Sequence, residues 1–127
     1  MNLEEGMIEI DGVQFYPGYT FKDFKETPFY TNQDAIRQIK LQGEKNILNH
    51  RFIVNILFIK YKLYSITLFS LESLKNISFE NEPIRKNYHD KILLDWGLKP
   101  NNIYSWGKIE SIYDEKSNVS EIGFFYK

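Results

Sequence analysis

Two helix signals, each followed by strand signals, constrain this chain more than any other feature. In the last third, Asn81-Glu82-Pro83 opens a helix and Gly97 closes it, supplying the left-handed residue that ends helices without a Cβ penalty. Trp106 to Asp114 then turns through Glu115-Lys116-Ser117-Asn118 into Val119 to Tyr126, the signature of a hairpin. The same order occurs upstream, with a short helix near Thr20 to Glu26 and then apolar strands Arg51 to Ile59 and Leu63 to Leu71. The pattern predicts a single α+β domain over residues 1–127, a central antiparallel sheet with two helices packed on it, built as two helix-plus-hairpin units.

Local signals fill in the rest. Ile8-Glu9-Ile10 and Val13-Gln14-Phe15 alternate around Asp11-Gly12, which reads as a compact hairpin. Thr20 with Asp23 three residues on predicts a capping box, and Phe21 and Phe24 share one face of the helix that Pro28 ends. Asp34 to Glu44 reads as a strand with one slip in its alternation, and Gly43 to Asn49 as a turn. Phe52, Val54, Ile56 and Phe58 line one face of the next strand, while Ile53, Leu57 and Ile59 line the other. A strand apolar on both faces belongs inside a sheet or against a partner. In its neighbour, Tyr64, Ile66 and Leu68 alternate with Ser65, Thr67 and Phe69. Leu74 to Phe79 joins the halves without a Gly- or Pro-rich linker, so no domain boundary is expected there. In the second helix Ile84, Tyr88 and Ile92 form the apolar stripe that Leu93 and Trp96 broaden, and Arg85, Lys86, Asp90, Lys91 and Asp95 take the wet side. In the last hairpin Ile109 and Ile112 face opposite sides, and Ile122, Phe124 and Tyr126 share one face.

Composition excludes several kinds of chemistry. No cysteine is present among the 127 residues, which removes disulfides, thiolate catalysis and sulfur-built zinc sites. Glu4 and Glu5 stand where a secretory signal needs base, and the longest apolar run, Phe52 to Ile59, is too short to span a bilayer. The chain is therefore expected to be soluble and cytoplasmic, with no membrane partner. Aromatic residues make up 17%, suited to a Phe- and Tyr-built core and to aromatic anchors at an interface. Net charge is -1, yet residues 1–34 hold seven acids against two bases, and residues 35–63 hold six bases against one acid. These segments can pair with each other within the fold, or the acidic one can meet a basic partner.

No catalytic constellation can be named, and the chain reads as a non-enzyme. His50 and His89 are the only histidines; His89 and Asp90 are helix neighbours that point apart, whereas Arg85 and His89 share a face read here as solvated. No spacing of His, Asp or Glu suits a metal, and the glycines form neither a P-loop nor a dinucleotide motif, so no metal and no cofactor is expected. Asp114 to Asn118 lacks the Gly and distal Glu of a calcium loop and is read as a turn in which Asn118 takes positive φ. Arg37, Lys40, Arg51, Lys60 and Lys62 interleave with Phe52, Phe58 and Tyr61 as in stacking platforms, but a slightly acidic chain argues against direct nucleic-acid binding.

Asp11-Gly12-Val13-Gln14-Phe15, Thr20-Phe21-Lys22-Asp23-Phe24, Ile77-Ser78-Phe79-Glu80-Asn81-Glu82-Pro83 and Trp106-Gly107-Lys108-Ile109 resemble a group of small bacterial proteins. Some members of that group are similar to immunity proteins of polymorphic and contact-dependent growth inhibition toxin systems. The resemblance spans most of the chain and carries no catalytic residues. It implies a partner, a cognate toxin domain bound tightly in the producing cell, with its active site or substrate access blocked. Against a nuclease with a basic cleft, the expected contacts are Glu4, Glu5, Glu9, Asp11, Asp23 and Glu26. An adaptor or regulatory module that binds another protein is the alternative.

Overall fold

The computed structural model describes residues 1–71 and 82–127. The expected connector Leu74 to Phe79 and the helix start at Glu80 and Asn81 lie outside the described residues. After a short 3-10 turn, Leu3–Glu5, the chain forms the hairpin β1 (Ile8–Ile10) and β2 (Val13–Phe15), then α1 (Phe21–Lys25). It continues through β3 (Gln38–Lys40), β4 (Lys45–Ile47), β5 (His50–Ile59) and β6 (Lys62–Ser70). The helix α2 (Glu82–Asp95) precedes β7 (Asn101–Tyr104), β8 (Gly107–Asp114) and β9 (Val119–Tyr126).

Among the described residues, seven strands make one antiparallel sheet in the order β3-β5-β6-β9-β8-β7, with β4 also paired to β5. The α+β architecture and the two helix-plus-strands units are thus present. Each unit ends in a long strand, and those strands, β6 and β9, pair at the centre from Ser65↔Phe125 to Leu68↔Ile122. The units are unequal. α1 has five residues and α2 fourteen. A five-residue helix is too short to persist alone; it is held by the reciprocal Thr20–Asp23 capping box and by Phe21 and Phe24 packed against Phe58.

All of these covering elements sit on one face of the sheet. Phe52, Val54, Ile56, Phe58, Ile66, Leu68, Ile109, Ile122, Phe124 and Tyr126 point into that layer and are buried. The β1–β2 hairpin, α1 and the segment between them contribute Ile8, Ile10, Phe15, Tyr19, Phe21 and Phe24, and α2 contributes Ile92 and Leu93. Burying an aromatic or branched side chain of this kind contributes about 1.5–3 kcal/mol relative to leaving it exposed.

Turn chemistry sets the registers. Asp11 and Gly12, Leu48 and Asn49, and Lys60 and Tyr61 all take positive φ at the centres of two-residue turns. That geometry matches the twist of the flanking strands. Asn118 has φ 53, as its short polar side chain allows.

Four local expectations are corrected. The strand expected over Asp34 to Glu44 is confined to Gln38–Lys40. Ile36 N–H closes a turn on Gln33 C=O, Ala35 is left-handed, and Asp34 is held by Lys25 and Tyr30. The turn expected over Gly43 to Asn49 contains β4, which Leu48-Asn49 folds back onto β5. Tyr64 leaves the Ile66–Leu68 set because a bulge shifts the register, so that Leu57 pairs with Ser65 but Phe58 with Leu63.

The buried face of α2 is rotated from the expected one. Arg85, His89, Ile92 and Leu93 are buried, while Ile84 and Tyr88 are exposed. The reason lies in the sheet. Pairing of β6 with β9 stops at Leu68↔Ile122, although β8 and β9 continue to Asp114↔Val119. The Ser70 N–H, left beyond the ladder, donates to His89 Nε2 at 3.1 Å. Buried backbone donors require partners, and here a helix supplies one. Arg85 lies over the Phe69 ring, 4.7 Å from its centroid.

Candidate functional site

The opposite face of the sheet carries no covering element among the described residues. Strand alternation brings Gln38, Lys40, Asn55, Leu57, Ser65, Thr67, Lys108, Glu110, Ile112, Glu121, Gly123 and Phe125 to it. At its centre lies a depression of about 250 Å³ lined by Gln38, Asn55, Leu57, Tyr64, Ser65, Thr67, Glu121 and Phe125.

Three local devices shape this depression. The bulge at Tyr64 swings its ring toward Phe125, and the two rings meet edge to face with centroids 6.4 Å apart. Gly123 makes room for Phe125, because a Cβ there would come within 2.3 Å of the Phe125 ring. The ring therefore covers the glycine two residues back along its own strand. Lys108 supplies the third device, with its Nζ 5.4 Å from the Phe125 centroid and 3.1 Å from Glu110.

Glu121 is the carboxylate of the depression. Residues two apart on a strand are about 7 Å apart on one face, which sets Glu121 beside the glycine that Phe125 covers. Burial raises its pKa above the ordinary carboxylate range. The ion pairs among the described residues do not include it. An acid that is desolvated without a compensating cation costs stability, and binding faces carry such groups more often than cores do.

The sequence-expected contacts lie in the other layer. Glu4 and Glu5 are exposed on the 3-10 turn, where Glu4 C=O accepts from Trp106 Nε1 at 2.7 Å. Glu9 points outward from β1, and Glu26 follows α1. Asp11 is engaged with Lys45 Nζ at 2.7 Å, so one acid of the N-terminal segment does pair with the basic segment. Asp23 accepts from Thr20 N–H and Oγ1, both at 2.9 Å. Glu4, Glu5, Glu9 and Glu26 face solvent without an ion-pair partner among the described residues, and Asp11 and Asp23 are committed to the fold.

Of the residues weighed as a stacking platform, Phe52 is buried in the core layer, whereas Arg37, Phe58, Lys60 and Tyr61 line one depression of about 220 Å³ beside the β5–β6 turn, with Tyr61 exposed. His50 Nε2 lies 3.2 Å from Asp95 Oδ2 and edge-on to Trp96, tying the β4–β5 turn to the end of α2. His89 is buried rather than solvated. Its burial, reinforced by Arg85, pushes its pKa down to about 4. The ring is therefore neutral, with Nε2 accepting and the proton on Nδ1.

Sequence reasoning missed the depression but left two signals of it. Gly123 sits inside a strand, where a glycine often marks a close approach. Ile53, Leu57 and Ile59 give β5 a second apolar face. Compared with known proteins, the chain matches no family, no curated protein and no solved structure.

Proposed function

We propose that this chain is a non-enzymatic immunity protein that binds a cognate toxin domain, a nuclease being the best-suited class, with the uncovered face of its sheet as the contact surface. The observation that carries the reading is that face itself: half-buried Leu57, Ile112 and Phe125 with exposed Tyr64, set around a polar depression and left without a covering layer among the described residues. Aromatic anchors with a small number of polar groups on a rigid sheet form the kind of surface from which protein interfaces draw their energy. A nuclease cleft is basic, and the Glu121 carboxylate on this face offers it complementary charge. The resemblance of the sequence to immunity proteins favours the same reading.

The test is neutralisation. Toxin domains of the producing strain are expressed one at a time with and without this chain, and survival is counted. Rescue by the unaltered chain is expected for one toxin, with loss of rescue when Tyr64 and Phe125 are both replaced by Ala. Glu4, Glu5, Glu9 and Glu26 changed together to Lys form the second arm. Loss of rescue only in that arm would move the contact to the N-terminal layer, and no rescue by a folded chain would overturn the immunity reading.

A further inference from the structure

We propose that the depression at the centre of the open face is a receptor for one arginine side chain of the bound partner, with Glu121 taking the guanidinium charge and the Phe125 ring its flat face. The proposal rests on reading this face as an interaction surface and adds the chemistry of what enters it.

The lining fits a guanidinium better than the alternatives. A guanidinium is planar, carries five N–H donors and stacks on aromatic rings. The depression offers acceptors for those donors: the Glu121 carboxylate, the Asn55 and Gln38 amide oxygens, and the Ser65 and Thr67 hydroxyls. It also offers a ring laid over the sheet, since Phe125 covers Gly123 next to Glu121. Lys108 already rests 5.4 Å from that ring, so the ring accepts a cation within this fold. An apolar side chain would leave five polar side chains of the lining facing it, and an anion would meet Glu121. At about 250 Å³ the space is smaller than the roughly 300–1,000 Å³ of drug-sized ligand sites, and suits one extended side chain.

Charge state follows from the same geometry. Glu121 has been raised by desolvation, and an incoming cation favours its ionised form. Arginine binding should thus lower the Glu121 pKa and weaken as pH falls through it. The other charged groups that strand alternation brings to this face include Lys108 and Glu110 on β8, which pair with each other, Asp114 at the end of β8, Arg51 on β5, which pairs with Glu44, Lys62 at the start of β6, and Lys40 on β3, three strands along from β9; Tyr64 lies on it too.

The experiment uses the whole chain and needs no toxin. N-acetyl-arginine methylamide is titrated into the isotope-labelled protein at neutral pH, followed by amide and side-chain carboxyl NMR shifts, with the uncharged citrulline analogue as control. Saturable shifts at Thr67, Glu121, Gly123 and Phe125 are expected for arginine alone. Glu121→Gln should weaken binding about tenfold, the loss of one charge-assisted contact. Gly123→Ala, whose Cβ displaces the Phe125 ring, should weaken it severalfold while the amide spectrum stays native elsewhere. Equal shifts with citrulline, shifts centred elsewhere, or unchanged affinity in Glu121→Gln would each overturn the proposal. Arginine binding without toxin rescue would leave this site standing and remove the immunity reading. Toxin rescue without arginine binding would do the reverse.

Discussion

Acidification should unlatch α2 from the sheet, because His89 holds that joint only while neutral. The ring is buried and accepts the Ser70 N–H at 3.1 Å, and a proton on Nε2 would abolish the acceptor and place a charge beside Arg85. The folded-state pKa of about 4 lies below the ordinary 6.5, so between these values the unfolded chain binds a proton that the folded chain does not. Stability from this group is complete above about pH 6.5 and falls as pH drops toward about 4. At about 1.4 kcal/mol per pH unit the full loss is about 3 kcal/mol, a large part of a typical 5–15 kcal/mol. Urea denaturation from pH 7.5 down to 4 measures it. His89→Gln is the control, since its amide oxygen can still accept from Ser70 N–H but does not titrate. The unaltered chain should lose about 3 kcal/mol more than the Gln variant across that range. Parallel curves would refute the reasoning and mean that His89 is not desolvated in the folded chain.

Three further outcomes test the fold. A Cβ at Gly107 would lie 1.9 Å from the Phe125 carbonyl oxygen, so Gly107→Ala should break the start of β8 and leave little soluble protein, read by expression and circular dichroism. Thr20→Ala removes the hydroxyl that accepts from Asp23 N–H and should cost about 1 kcal/mol in urea, with α1 amides exchanging faster. Lys60→Asn with Tyr61→Gly places the residues that positive φ favours in the β5–β6 turn, and should raise stability by about 1 kcal/mol in a thermal melt.

Much of this architecture was legible because local and tertiary demands agree. The capping box at Thr20 and Asp23, the Asp11-Gly12 turn, Gly97 and the one-sided set Ile122, Phe124 and Tyr126 all express short-range rules, and each formed as the pattern predicts. The face of α2 was not legible. Its apolar residues mark a stripe through Ile84 and Tyr88, but the buried stripe runs through Arg85 and His89, where His89 Nε2 accepts the backbone N–H of Ser70 at the end of β6. That contact forms only where β6 parts from β9, and no short window of sequence contains all three elements. The short β4 was hidden for a similar reason. Lys45 reads as a turn residue, yet it is nearly buried, with Asp11 as counter-ion and the Phe29 ring beneath it.

The candidate site was illegible for a different physical reason: its parts are unremarkable where they stand in the sequence. Tyr64 belongs to an alternating run until a register shift between Leu57 and Phe58 moves it to the other face. Glu121 and Phe125 look like the polar and apolar sides of a common strand. Only Gly123 lets the Phe125 ring lie over the strand next to Glu121. Each of these features weakens the isolated domain. The bulge interrupts a ladder, the glycine adds unfolded-state entropy, and the half-buried acid is held away from water without a paired cation among the described residues. Three destabilising choices meet on one face left uncovered among the described residues, in a chain whose other face is packed with aromatic and branched side chains, and the partner proposed above would account for them together by supplying the missing charge and covering layer. Chance placement would scatter them over both layers of the fold.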